Sequence, residues 1–235
     1  MRLHNNMQQS DRRPQLWVIV PAAGIGSRFG GILPKQYAVM RNHKTVLDNT
    51  LTALLKHVTI ERVMLVLHPN DTYWQHSIFY NEDRMMTTAG GHDRAHSVFN
   101  GLLALTDVVS ENDWVFVHDA CRPCISHHDI DELLSLMIND HPVGGLLAVP
   151  LTDTIKHVDK GCVTATVSRQ QLWRAQTPQL FRYGLLKQAL TTAFAKDFLV
   201  TDESSAIELL GLQPAIIQGS TQNLKITYPE DLNTL

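Results

Sequence analysis

The chain reads as an α/β protein: a mostly parallel sheet with helices on both faces and a protruding β-hairpin arm. Three observations predict it. Short apolar, β-rich runs alternate with stretches of helical periodicity as far as Pro150. Polar clusters, several bearing glycine, follow these runs, where ligand loops lie in parallel sheets. After Pro150 the alternation breaks, and two β-rich runs flank Asp159-Lys160-Gly161.

The elements follow in order. Residues 1–15 are polar and predict a disordered tail; 16–235 predict a single domain, with the arm at about 151–170. Leu16 to Val20 is an apolar run and predicts a buried strand. Thr45 to His57 predicts a helix, with Val46, Leu47, Leu51, Leu54 and Leu55 at helical spacing. Arg62 to Leu67 predicts a strand, and Met85 to Thr88 a short one. Ala95 to Leu105 predicts a helix carrying Val98, Leu102 and Leu105 on one face, with Asp93 available as N-cap. Trp114 to His118 predicts a strand, Asp129 to Ile138 a helix and Leu146 to Val149 a strand. Thr154 to Val158 and Cys162 to Val167 form the hairpin, turned at Lys160-Gly161. Because a two-stranded hairpin is marginal in water, it should pack on something. Tyr183 to Phe194 and Asp202 to Leu210 predict helices, and Asn223 to Thr227 a final strand before Pro229.

Composition narrows the function. With 235 residues, 44% of them hydrophobic, the chain can bury a substantial core. A net charge of −3 argues against a nucleic-acid binder held by general basicity. No apolar run reaches membrane-spanning length and no signal-peptide core is present, so a cytoplasmic location with its three cysteines reduced is expected.

The richest segment is Pro21 to Tyr37, P-A-A-G-I-G-S-R-F-G-G-I-L-P-K-Q-Y, which follows the first strand. Its small residues Pro21, Ala22, Ala23, Gly24, Ile25 and Gly26 let backbone N–H groups approach a ligand. Arg28 and Lys35 can meet phosphate oxygens, so an anionic, triphosphate-type ligand is expected. The loop fails the Walker A pattern, which needs Lys directly after its second glycine. It also fails the G-x-G-x-x-G fingerprint, since Phe29 stands at the third position.

Other clusters end predicted strands. Asp119 in H-D-A-C-R-P-C can hold a divalent cation bridging phosphates, with Arg122 beside it for a second anion. The plainer alternative is a strand-end turn capped by Asp119. Gly90-Gly91-His92-Asp93-Arg94 opens a helix whose exposed N–H groups can read a base edge or bind an anion, and Ser97 could add a hydroxyl. Asp93 as a simple N-cap is the alternative. Cys121 and Cys124, with His127 and His128, are spaced too tightly for a tetrahedral zinc site and lack a second pair, which favours packing. Lys225 should point away from the face of its neighbours in the last strand, toward a site or toward solvent. Thr201-Asp202-Glu203 reads as a capping start, although Thr201 could touch a ligand.

Taken together, the motifs P-A-A-G-I-G-S-R, P-K-Q-Y, G-G-H-D-R-A-H-S-V, V-H-D-A-C-R-P-C, D-T-I-K, L-W-R-A-Q-T-P-Q, V-T-D-E-S-S-A and N-L-K-I-T-Y-P-E-D-L run in order from Leu16 to the C-terminus. In this the chain resembles the 2-C-methyl-D-erythritol 4-phosphate cytidylyltransferases of the non-mevalonate isoprenoid pathway. The resemblance implies a Rossmann-like nucleotidyltransferase sheet and a reaction of CTP with methylerythritol phosphate, giving diphosphocytidyl-methylerythritol and pyrophosphate. The substrate phosphate would attack the CTP α-phosphorus directly, and the sequence shows no Ser-His or Cys-His pattern for a covalent route.

The resemblance also implies roles. Arg28 and Lys35 would stabilise transition-state charge, and Asp119 would help hold Mg2+. Backbone groups at Ala22, Ala23 and Gly91, with Ser97, would read cytosine, with His92 beside them. Lys225 and Arg169 would position methylerythritol phosphate, aided by Thr154, Arg122, Thr177 and Thr201. The arm would embrace a second subunit, so that Thr154 and Arg169 serve the partner's site in a homodimer. Two residues depart from the family: Cys121 stands where a second alanine is usual, and His92 where an acidic or small residue often sits. A ribitol-5-phosphate cytidylyltransferase would share the CTP loop and differ in its acceptor pocket. A non-catalytic nucleotide-binding regulator would be expected to lose Arg28, Lys35 or Lys225, and all three are present.

Overall fold

The computed structural model describes residues 14–24, 26, 29–30 and 33–233. Ile25, Arg28 and nearly all of the predicted tail lie outside the described residues.

The first strand, β1 (Leu16–Ala22), sits near the middle of a seven-stranded sheet. It pairs in parallel with β2 (Val63–Leu67) on one side and β4 (Trp114–Val117) on the other, and β3 (Met85–Ala89) extends the sheet beyond β2. Successive side chains point to opposite faces, so each apolar run feeds two cores. Val18, Val20, Leu65 and Phe116 face one core, shared with α1 (Val46–Leu55) and α3 (His127–Ile138). Ile19, Val66, Val115 and Val117 face the other, shared with α2 (Arg94–Ala104), α4 (Tyr183–Ala195) and α5 (Glu203–Glu208). Each fully buried Leu, Val or Phe contributes about 1.5–3 kcal/mol by leaving water, which is why both faces are covered. Close packing also sets residue size: a Cβ on Gly101 of α2 would stand 2.9 Å from Ile19 Cγ2.

Side chains cap four of the helices, α4 starting at Arg182 without one. Thr45, Asp93 and Ser126 each accept from a backbone N–H three residues on. Asp202 and Ser205 complete a reciprocal capping box at α5, as the Thr201-Asp202-Glu203 pattern predicts.

The sheet departs from the sequence reading in three places. Trp173–Arg182 is a strand, β8, which no predicted run covers. It lies inside the sheet, antiparallel to β4 and to β5 (Gly144–Pro150). Its sequence mixes polar residues with Pro178, which argues against a central strand. The structure accommodates this because neither ladder pairs residues 176–178: the β4 ladder stops at Gln179, and the β5 register shifts between Leu146 and Ala148. Ala215–Gln218 is β9, a short parallel edge strand on β5 that was also not predicted. The predicted final strand over Asn223–Thr227 does not form. That segment joins no ladder, and the Ile226 N–H bonds instead to the Cys121 carbonyl in the loop after β4.

The hairpin forms as predicted, from β6 (Ile155–Asp159) and β7 (Cys162–Val167), as a two-stranded sheet separate from the seven-stranded one. Lys160 and Gly161 have φ of 47° and 80°, the left-handed pair that a tight hairpin turn requires.

Candidate active site

The carboxyl ends of β1, β3 and β4 open into one cavity of 520 Å³. Pro21, Ala22, Ala23, Gly24 and Gly26 form one wall, and Gly91, His92 and Ser97 another. Lys35, Asp119 and Lys225 also face it. Three sequence clusters therefore meet in one crevice, where ligands bind in open α/β sheets.

Each wall is held by identifiable contacts. Lys35 begins a single 3-10 turn, Lys35–Tyr37. The buried Gln36 amide donates to the Ala22 carbonyl at 2.7 Å, and Tyr37 donates its hydroxyl to Asp71 at 2.8 Å. Gln36 thus ties the turn to the end of β1 and Tyr37 ties it to the loop after β2, while Lys35 Nζ reaches the Ile226 carbonyl at 3.3 Å. On the facing wall, Ser97 Oγ accepts the Gly91 N–H at 3.1 Å and donates to the Asp93 carbonyl at 2.8 Å. Gly90 is where the two walls touch. A Cβ there would lie 2.4 Å from Ala23 Cβ, so no larger residue fits without moving a wall.

Asp119 is the electrostatic centre. It is buried, and its carboxylate accepts from Arg94 Nε at 2.8 Å and Lys225 Nζ at 2.8 Å, with Arg122 Nε 3.6 Å away. Burial alone would raise its pKa, but Arg94, Lys225 and Arg122 together hold it well below the usual carboxylate range. Arg94 is clamped from behind by a bidentate pair with buried Glu203, at 2.7 and 3.1 Å. Burial disfavours its charge, yet Glu203 and Asp119 hold its pKa above the ordinary value. Burial also raises the Glu203 carboxyl, and Arg94 offsets only part of that rise. Burial lowers the Arg122 guanidinium, with only partial compensation from Asp119.

A relay beneath Asp119 fixes its backbone. The Asp119 N–H donates to Thr177 Oγ1 at 3.0 Å, and that hydroxyl lies 3.3 Å from His118 Nδ1. His118 Nε2 lies 3.0 Å from the Arg122 carbonyl. A neutral imidazole satisfies the whole chain, donating from Nε2 and accepting at Nδ1. Burial pushes its pKa down to about 4, in agreement with that tautomer.

Within one chain, the structure gathers Lys35, Lys225, Asp119, the small-residue wall, Gly91, His92 and Ser97 around the cavity. Arg122 and Thr177 stand behind it. Arg122 donates to the Asn223 carbonyl at 2.7 Å, and among the described residues its Nε makes no hydrogen bond beside its 3.6 Å ion pair with Asp119. Thr154, Arg169 and Thr201 are not brought there. Arg169 lies on the arm and donates to the Thr152 carbonyl, and Thr201 leads into the α5 cap. Sequence reasoning passed over Arg94, Glu203 and Gln36. Arg94 stands inside a glycine-loop motif and Glu203 inside a cap. Their partnership spans more than a hundred positions and leaves no local signal. Cys121 is buried beside Ala38, Met40, Val46 and Ile226, and its thiol is pushed up to about 11, chiefly by burial.

Known proteins resemble this chain in sequence and in fold. Residues 16–234 match the family model described as 2-C-methyl-D-erythritol 4-phosphate cytidylyltransferase. Proteins of that name from Hahella chejuensis and Pseudomonas putida are 47% and 44% identical, over 93% and 96% of this chain and 90% and 96% of theirs. Among solved structures, the Francisella tularensis enzyme superposes with a TM-score of 0.82 at 39% identity, over 94% of this chain and 97% of that one. The Thermus thermophilus enzyme superposes at 0.75 with 26% identity, over 94% and 96%. Among the described residues no helix is long and apolar enough to cross a membrane. Matched across nearly its whole length in sequence and in fold, the chain belongs to the family of 2-C-methyl-D-erythritol 4-phosphate cytidylyltransferases, nucleotidyltransferase enzymes.

Proposed function

We propose that this chain performs its family's reaction by direct displacement. An oxygen of the methylerythritol phosphate attacks the α-phosphorus of CTP. The bond from that phosphorus to the bridging oxygen of the β-phosphate breaks, and pyrophosphate leaves with the electron pair. No enzyme nucleophile is needed, so catalysis rests on positioning and charge neutralisation. One observation carries this reading: Lys35 and Lys225 face the same cavity as the small-residue wall, around a buried, charge-compensated Asp119.

Lys35 and Arg28 neutralise the triphosphate as charge shifts toward pyrophosphate. Lys225 and Arg122 serve the acceptor phosphate, Arg122 Nε standing 3.6 Å from Asp119, beyond hydrogen-bond distance. Cytosine is read by backbone groups at Ala22, Ala23 and Gly91. Ser97 Oγ already spends its proton and one lone pair, so its remaining lone pair suits a donor such as the exocyclic amine of cytosine.

A divalent ion fits the same site. Asp119 offers carboxylate oxygens, and the neighbouring Cys121 thiol stays protonated, so the donors suit a hard ion such as Mg2+ that keeps waters and takes phosphate oxygens. When bound with CTP, Mg2+ supplies charge neutralisation on the phosphates. Thr154 and Arg169, which do not line the cavity of their own chain, act in a homodimer on the partner's site.

The test is pyrophosphate release with CTP, comparing methylerythritol phosphate with ribitol 5-phosphate. Release with the first acceptor, abolished by EDTA and restored by Mg2+, is expected. Preference for ribitol 5-phosphate would reassign the acceptor, and release in metal-free buffer would remove the ion.

A further inference from the structure

We infer that His92, Asp93 and His96 form a second metal site at the cavity mouth, selective for a borderline transition ion such as Zn2+ over Mg2+. Among the described residues, one ligand atom from each of the three lies within 4.8 Å of the others. Asp93 Oδ1 and His96 Nδ1 are 2.9 Å apart, and Asp93 Oδ2 and His92 Nε2 are 3.5 Å apart. Ligand atoms that share an ion at bonds of about 2.1 Å stand roughly 3.0–3.4 Å from one another, and the two separations fall about 0.1 Å to either side of that range.

The three groups are held for the task. His96 stacks on Phe194 with ring centroids 4.0 Å apart, which fixes its plane. The His92 ring lies against it at 3.7 Å. Asp93 caps α2 through Oδ1, which accepts the His96 N–H at 2.8 Å and pairs with His96 Nδ1 at 2.9 Å, a bond whose ring proton an ion would replace, while Oδ2 lies toward His92. His92 is exposed, and rotation of its side chain closes the remaining gap. Two imidazoles and one carboxylate suit Zn2+, Ni2+ or Co2+, and suit Mg2+ poorly. The Asp119 site has the opposite chemistry, so each site prefers a different ion. Because His92 and Asp93 line the same cavity, an ion held there sits on its rim.

The experiment titrates the full chain, in excess Mg2+, with Zn2+ by calorimetry and with Co2+ by visible absorption. One saturable ion per chain is expected, with a Co2+ spectrum lacking thiolate charge transfer. His92→Ala and His96→Ala should each weaken Zn2+ binding by about tenfold or more, because each removes one of three protein ligands. Circular dichroism of these variants should match wild type, and Cys124→Ser with Cys162→Ser should leave binding unchanged. The inference is overturned if wild type shows no saturable binding, or if the double His92→Ala, His96→Ala variant binds with undiminished affinity. It is equally overturned if the cysteine variants abolish binding.

Discussion

A single carboxylate with three cations around it, as at Asp119, is a charge-storage arrangement that a phosphate can redistribute. Lys225 and Arg122 can turn to an incoming phosphate while Arg94 stays clamped by Glu203. Among the described residues Lys35 lies outside that network, and its Nζ donates to the Ile226 carbonyl. Lys35→Ala should therefore lower kcat by a factor equivalent to about 3–4 kcal/mol with folding intact, as expected for a contact made mainly in the transition state. A turnover within about threefold of wild type would remove Lys35 from the mechanism. His118 gives a pH prediction. Its folded pKa of about 4 lies below its ordinary 6.5, so the unfolded chain binds the proton more readily between those values. The stability it contributes is complete above pH 6.5 and is lost as pH falls toward 4, by about 3 kcal/mol in total. Urea midpoints of wild type and His118→Gln, followed over that window, should converge as pH falls. Parallel curves would show that His118 is not the group being titrated.

At the scale of elements, two helix N-termini meet over Asp119: Arg94 opens α2, Glu203 opens α5, and the pair between them joins a buried carboxylate to a partly buried guanidinium. Removing one partner strands a buried charge. Arg94→Met should destabilise the fold by roughly 3–5 kcal/mol, and Arg94→Met with Glu203→Met should recover most of that loss. The double-mutant cycle is read from urea denaturation, and additive losses would mean that the two side chains do not depend on each other. This long-range pair also marks what the sequence left hidden. The parallel half of the sheet was legible because strands buried on both faces are continuous apolar runs, as in β1 and β4. The helices were legible because their apolar residues recur at helical spacing, as in α1 and α2, with Asp93 and Asp202 marking caps. β8 was not, because its middle residues Gln176, Thr177 and Pro178 serve the site rather than a ladder: Gln176 bonds the Ser220 carbonyl, and Thr177 holds the Asp119 N–H. The stretch around Lys225 misled for a related reason, since alternating Leu-Lys-Ile reads as a strand but here spans two loops. Loop motifs located Lys35, Asp119, Gly91 and Ser97. Nothing local could locate Glu203 as the clamp of Arg94.

At the scale of the whole molecule, the arm is the part that its own chain does not explain. β6 and β7 pair only with each other, and Val158 and Val163 are 54% and 62% exposed, with Val167 at 38%. An isolated hairpin of this size is marginal in water, and its edges and apolar face invite a cover. In the proposed homodimer a second copy of the chain would supply one, and would also carry Thr154 and Arg169 toward an active site whose cavity they do not line in their own chain. Subunit mixing tests this directly. Lys35→Ala and Arg169→Ala proteins, each inactive alone, are combined under conditions that allow exchange, and exchange is checked by mass-tagged subunits. If the arm acts in trans, a mixed dimer contains one site with both defects and one intact site, so activity should rise toward half of the wild-type value per mixed dimer. If the arm acts in cis, every site keeps one defect and mixing restores nothing. Absence of recovery in exchanged samples would confine Arg169 to its own chain, and it would leave the cytidylyltransfer chemistry at Lys35 and Asp119 as argued.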